Sequence, residues 1–384
     1  MIMKNKGNKI CITTVMDDTD PDIVFDERGE CHYVKQAKAL FEKYWFPNEE
    51  GRNRLEKMVE QIRKDGKGRK YDCIIGLSGG LDSSYLAYKM AEFDLRVLAV
   101  HVDGGWNSET SVQNIEKIIK YNNWDLHTYV INWPEMKDLQ LAYVKAGLVN
   151  QDVPQDHAFF ARMWTEAVNH NVKWALSGGN LASESFLPLA WRGHDAMDAT
   201  HLLSVHKKFG QRKLSSYPVV GFFKYNFHFR LIKGMKVIKP LNLMPYIRKN
   251  AIRELEDNTG WKSYGDKHHE SIFTKFFQGY YLPTKFGFDK RKAHLSCLIL
   301  SGQISRKEAL NTLSNPPYDL NEIEFQKEYI AKKLGISKEH LELLIDRKGM
   351  GESNFESGQK LKSKLFATKQ LVSKFIKLKG QDYG

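Results

Sequence analysis

Short apolar runs alternate with stretches of helical period through the middle of the chain. Residues 71–77 (YDCIIGL), 96–102, 126–132, 172–176 and 235–241 have the length and apolar content of buried strands. Residues 82–93, 109–121, 134–147, 156–169 and 248–259 follow them with helical patterns. Parallel strands need a crossover, usually a helix, so this alternation predicts βα units around one sheet. The expected fold is α/β, a doubly wound parallel sheet over residues 69–260. A small N-terminal lobe (1–68) and a helical C-terminal region (261–384) flank it.

Composition narrows this picture. With 384 residues, 42% hydrophobic and 12% aromatic, the chain can bury a sizeable core. No window has the apolar length of a membrane span, and the start, MIMKNKGNKICITT, lacks the apolar stretch of a signal peptide. Four scattered cysteines make no disulfide framework, so a reducing cytoplasm is the expected location. Of the net charge of +12, seven lysines between Gln359 and Gly380 supply more than half. The remainder suits an anionic substrate without requiring nucleic acid.

The chemistry concentrates in Ser78-Gly79-Gly80-Leu81-Asp82-Ser83-Ser84, between the first strand and its helix. In an open α/β sheet that is the ligand crevice. Two glycines permit a tight turn that aims successive N–H groups into one concavity, and the helix N-terminus favours phosphate there. Ser78, Ser83 and Ser84 add hydroxyls. Asp82 would repel phosphate unless it holds Mg²⁺ that bridges phosphate oxygens. A plain glycine turn with an Asp/Ser cap is the simpler alternative, but motif, strand and helix agree on a phosphate site. Neither the Walker spacing nor GxGxxG is present. Asp103, in His101-Val102-Asp103-Gly104-Gly105, and Gly178, Gly179 and Asn180, after Ser177, close the second and fourth strands beside this loop.

The loop resembles the PP-loop, SGGxDS, of ATP pyrophosphatases (adenine nucleotide α-hydrolase-like proteins), which transfer AMP to a substrate oxygen. Further along come Lys267-His268-His269-Glu270-Ser271, Phe273-Thr274-Lys275-Phe276, Tyr281-Leu282-Pro283, Lys285-Phe286-Gly287, Asp289-Lys290-Arg291, His294-Leu295-Ser296 and Ser301-Gly302-Gln303. With Thr19-Asp20-Pro21-Asp22-Ile23 and Phe25-Asp26, this tract resembles the bacterial N-acetyl sugar amidotransferases over roughly residues 11–310. That resemblance implies an ATP- and Mg²⁺-dependent enzyme of lipopolysaccharide O-antigen or flagellar glycan biosynthesis. Such an enzyme adenylates an acetamido oxygen on a nucleotide sugar and admits ammonia, giving an acetamidino group. Lys267, Lys275 and Arg291 are then candidates to neutralise phosphate charge in catalysis. His268, His269, Asn180 and Lys290 are candidates to bind substrate.

Relatives in that family carry two Cys-x-x-Cys pairs near the N-terminus, a zinc-knuckle pattern. Here the pairs read Cys11-Ile12-Thr13-Thr14 and Cys31-His32-Tyr33-Val34. Cys11 and Cys31 are remnants, and no zinc is expected. Lysines surround Leu361, Leu365, Thr368, Val372 and Phe375 at helical spacing. That basic tail suits its own core or, second, an anionic inner-membrane surface. The start Met1-Ile2-Met3 and the lack of a GxCxG turn predict a separate glutaminase that delivers ammonia. A tRNA-thiolating enzyme and a non-catalytic ATP-binding module are the rival readings. The first would need reactive cysteines, whereas Cys73 and Cys297 sit in apolar runs.

Overall fold

The computed structural model describes residues 9–265 and 270–359. Five parallel strands, β1 (Cys73–Gly76), β2 (Val97–Asp103), β3 (Asp125–Val130), β4 (Trp174–Leu176) and β5 (Lys236–Ile238), form one sheet in the order β3-β2-β1-β4-β5. The doubly wound α/β architecture expected from the sequence is therefore present, each strand lying within or beside its predicted run. Strand order reverses between β1 and β4, and their carboxyl ends open the crevice there.

The inner strands β1, β2 and β4 contribute to two cores because side chains alternate across a pleated sheet. Ile74, Leu98, Val100 and Ala175 face one core, under helices Trp133–Ala146, Val153–Asn169 and Ala199–Phe209. Cys73, Ile75, Val97, Ala99, Trp174 and Leu176 face the other, under helices Glu49–Gly66, Leu81–Met90, Glu109–Asn122 and Arg248–Thr259. At roughly 2 kcal/mol for each fully buried large aliphatic side chain, these two layers hold the sheet ends where the site needs them.

Local signals set the helix limits. Ser108 caps helix Glu109–Asn122 by accepting from Ser111 N, and Asn123 ends it in the left-handed region at φ 52°. Helix Trp133–Ala146 starts with a proline in its first turn and stops at Gly147, φ 63°.

Outside the sheet, residues Cys11, Met16, Cys31, Tyr33 and Val34 of the N-terminal lobe cluster with Trp191 and Ala293. Cys31 N donates to Cys11 Sγ at 3.2 Å, and Thr14 Oγ1 stands 3.7 Å from Cys31 Sγ. The hydrogen bond from Cys31 lowers the Cys11 thiol to about 5, while Cys31, as the donor, is held protonated. Thus an apolar cluster with one thiol pair occupies the knuckle position. The C-terminal region is helical as expected, with helices Arg291–Leu300, Arg306–Leu313, Ile323–Leu334 and Lys338–Asp346. Among the described residues no helix is long and apolar enough to cross a membrane. The basic tail from residue 360 onward lies outside the described residues.

Candidate active site

A cleft of about 480 Å³ opens at the strand-order reversal, lined by the ends of β1, β2 and β4 through Ser78, His101, Ser177 and Gly178. The glycine loop, which meets the cleft through Ser78, is tightly constrained. Gly79 has φ +75°, and a Cβ there would stand 2.1 Å from Ser111 O. Its carbonyl accepts from Trp261 Nε1 at 3.2 Å. Ser78 Oγ lies 3.1 Å from Ser83 Oγ and accepts from Gly80 N at 3.2 Å. Leu81 N donates to the Tyr264 hydroxyl at 2.8 Å.

Neighbouring strand ends lock onto this loop. A Cβ on Gly178 would lie 3.0 Å from the Asp82 backbone carbon, so β4 closes directly on the first helical turn. Gly179 N donates to Ser177 Oγ. Asp103, at the end of β2, accepts from Gly105 N at 2.7 Å and Asn107 Nδ2 at 3.1 Å. The same Asn107 faces Nε2 of His101, whose Nδ1 meets Leu77 O at 2.9 Å. Asp82 accepts a hydrogen bond from Tyr246.

The other candidates divide into those at the cleft and those away from it. Lys290 lines the cleft, its Nζ 5.1 Å from the Phe277 ring centroid. Glu270 lines it too, beside Gly80, and Ser108 N donates to its carbonyl at 2.9 Å. Ser84 is buried in its helix, away from the cleft lining. Asn180 caps the short helix Leu181–Glu184 and is buried. Lys275 pairs with Glu322 at 2.7 Å outside the cleft. Arg291 is held by Asp289 and by the carbonyls of Asn315 and Pro316. It lines a second, smaller cavity of about 120 Å³ that shares Gln278 and Lys290 with the first. Lys267, His268 and His269 lie outside the described residues.

Sequence reasoning missed a carboxylate pair facing Lys290. Asp152 accepts from Gln155 Nε2 at 2.7 Å and Thr274 Oγ1 at 3.0 Å. Burial raises its carboxyl, against the pull of Lys290. Burial, with Asp152 nearby, pushes Asp156 up to about 8. Lys290 is drawn below the ordinary lysine range by burial, and the two acids oppose that. Two acids four residues apart at a helix start share one face, and that spacing was the available signal.

Residues 270–370 match the family described as LPS biosynthesis protein WbpG-like, C-terminal domain. Over these residues the chain is similar to that family. The match bears out the resemblance drawn from the sequence, since the WbpG-like region includes Glu270, Thr274, Lys290 and Arg291. No curated protein matches the chain in sequence. Among solved structures it is similar to the NMN synthetase from Francisella tularensis, with 14% identity over 74% of this chain and 95% of that one, TM-score 0.34. The NAD+ synthetase from Burkholderia pseudomallei shows 15% identity over 59% and 95%, TM-score 0.27. The NH3-dependent NAD synthetase from Campylobacter jejuni shows 16% identity over 35% and 58%, TM-score 0.28. The chain thus spans little more than half the length of the Campylobacter protein.

Proposed function

We propose that the chain is an ATP-dependent amidotransferase that converts an acetamido group of a nucleotide-linked sugar into an acetamidino group. The observation that carries this reading is the SGGLDSS loop at the edge of a cleft at the sheet's switch point, which it enters through Ser78, with Lys290, Asp152 and Asp156 on the cleft walls. The WbpG-like C-terminal region supports a role in lipopolysaccharide biosynthesis.

The chemistry follows from the groups. An amide oxygen is a weak nucleophile and an amide carbon a weak electrophile, so activation comes first. The oxygen attacks the α-phosphorus of ATP, and the bond to pyrophosphate breaks. The positive end of helix Leu81–Met90 favours the departing anion there. Carboxylate and hydroxyl oxygens from Asp82, Ser78 and Ser83 are hard donors of the kind Mg²⁺ takes, and the ion would neutralise phosphate charge when bound. Ammonia then attacks the imidate carbon, AMP leaves, and the nitrogen sheds a proton. Asp156, which keeps its proton up to about 8, is suited to donate a hydrogen bond to the reacting group, and the shed proton passes to solvent. Lys290 stands where it can face the phosphate or the sugar.

All four cysteines are buried and none lines the cleft, which weighs against sulfur transfer. Ammonia would come from a separate glutaminase. The test is release of AMP and pyrophosphate from ATP with ammonium across a panel of UDP-N-acetyl sugars and sugar acids. One member should drive turnover, and Ser78→Ala and Asp82→Asn should remove most of it. Turnover independent of any sugar, or unchanged in both variants, would refute the reading.

A further inference from the structure

Away from the cleft, the 193–198 loop, helix Ala199–Phe209 and the turn Glu352–Asn354 bring together His194, His201 and Glu352. One ligand atom from each lies within 4.8 Å of the other two. The imidazoles of His194 and His201 stack with centroids 3.8 Å apart. His201 is 1% exposed, and its Nε2 is 2.9 Å from a Glu352 oxygen. Yet neither ring nitrogen of His201 and neither oxygen of Glu352 has a hydrogen-bond partner among the described residues, and all four atoms are buried.

That arrangement is costly as it stands. A buried carboxylate without hydrogen bonds forfeits its hydration, and each unsatisfied imidazole nitrogen adds to the penalty. A shared proton would offset the cost only through a well-directed hydrogen bond, which the geometry lacks. A cation seated between the three side chains satisfies them together.

From this we propose that His194, His201 and Glu352 bind a divalent transition-metal ion of the zinc type. Two imidazoles and a carboxylate are the donor set of such ions and not of Mg²⁺ or Ca²⁺, which take oxygen. Tetrahedral zinc with nitrogen ligands sets its donors about 3.3 Å apart, so the cluster needs only a modest contraction. The surroundings are also those of a built site. Asp198 accepts from His194 Nε2 at 2.9 Å and from the backbone N of His201 at 3.2 Å. Ser357 Oγ and Gly358 N bind the same Asp198 carboxylate. A carboxylate that orients a ligating histidine is the usual outer support of a metal ligand.

The site has a clear structural consequence. It ties the segment after residue 350 to the 193–198 loop, which packs on Asn150, a cleft residue, through Gly193 and the His194 carbonyl. The ion therefore braces one wall of the cleft without entering it. The expectation of no zinc rested on the degraded cysteine pairs, and these donors come from elsewhere in the fold.

The test uses the full chain, purified without a histidine tag and stripped with chelator. Titration with Co²⁺ should give one equivalent of a visible d–d spectrum without thiolate charge-transfer bands, displaced by Zn²⁺. Zn²⁺ should raise the melting temperature of the wild type. Glu352→Gln should weaken binding at least tenfold and His201→Ala should abolish it, whereas Cys11→Ser and Cys31→Ser should bind normally. If His201→Ala does not fold, the wild-type spectrum and Glu352→Gln decide. Wild type that takes up neither metal at micromolar concentration overturns the proposal. So does metal retained by Glu352→Gln but lost from the cysteine variants.

Discussion

Adding one methyl group to Gly79 should disable the enzyme while leaving it folded. Gly79 has φ +75°, where an L side chain costs about 1–2 kcal/mol. The new Cβ would also stand 2.1 Å from the Ser111 carbonyl oxygen, more than an ångström inside normal contact. Ser111 lies in the first turn of helix Glu109–Asn122, which is anchored on the core by Ile115 and Ile118. The loop must therefore give way, carrying Ser78 and Gly80 with it. A displacement of about 1 Å at a reacting centre costs on the order of 100-fold in rate, or about 2.7 kcal/mol. Gly68→Ala is the matched control: its φ is +77° and nothing lies within 4 Å of the added carbon. Both variants should lose about 1–2 kcal/mol of stability from φ strain in thermal or urea unfolding, with a further loss in Gly79→Ala from the clash. Only Gly79→Ala should lose pyrophosphate release per folded molecule. Equal turnover in the two variants would refute the assignment of the loop to phosphate.

Folding stability should report on Asp156. Its carboxyl is raised to about 8 by burial and by Asp152, so the folded chain keeps a proton that the unfolded chain loses above about pH 4. Stability tied to this group is therefore present at acid pH and falls as pH rises to about 8. Asp156→Asn should gain on the wild type across that window, by up to a few kcal/mol, and parallel pH profiles of melting temperature would contradict this. Lys290, drawn downward by burial, acts in the opposite sense, with stability rising toward its ordinary, more alkaline range. The isolated chain should make amidine with high ammonium and not with glutamine until a glutaminase partner is added. Glutamine-driven product from the pure chain, insensitive to a thiol-directed glutamine analogue, would exclude a separate ammonia source.

Strand and helix positions in the sheet were legible because both obey short periods. Residues 71–77 and 172–176 are apolar for the local reason that a parallel strand is covered on both faces. The glycine loop was equally legible, since its turn, its N–H groups and its helix are contiguous in sequence. Segments with other periods were not. The π-helical turn Lys224–Ile232 buries Phe229 but exposes Leu231 and Ile232, a pattern that fits neither template. Which basic residue meets the cleft also needed the fold. Lys275, Lys290 and Arg291 look alike in the tract, but only Lys290 lines the cleft, while Glu322 and Asp289 occupy the other two. Asp152 and Asp156 gained their altered acidity from burial opposite a lysine 134 or more positions away, a property no local window contains. His194, His201 and Glu352 are likewise unremarkable as a string. By itself the sequence determined the sheet, its helices and the glycine loop, because periodicity and turn chemistry act between near neighbours. Tertiary structure alone decided the cleft walls and the histidine cluster, because burial and distance depend on what the rest of the chain packs against them.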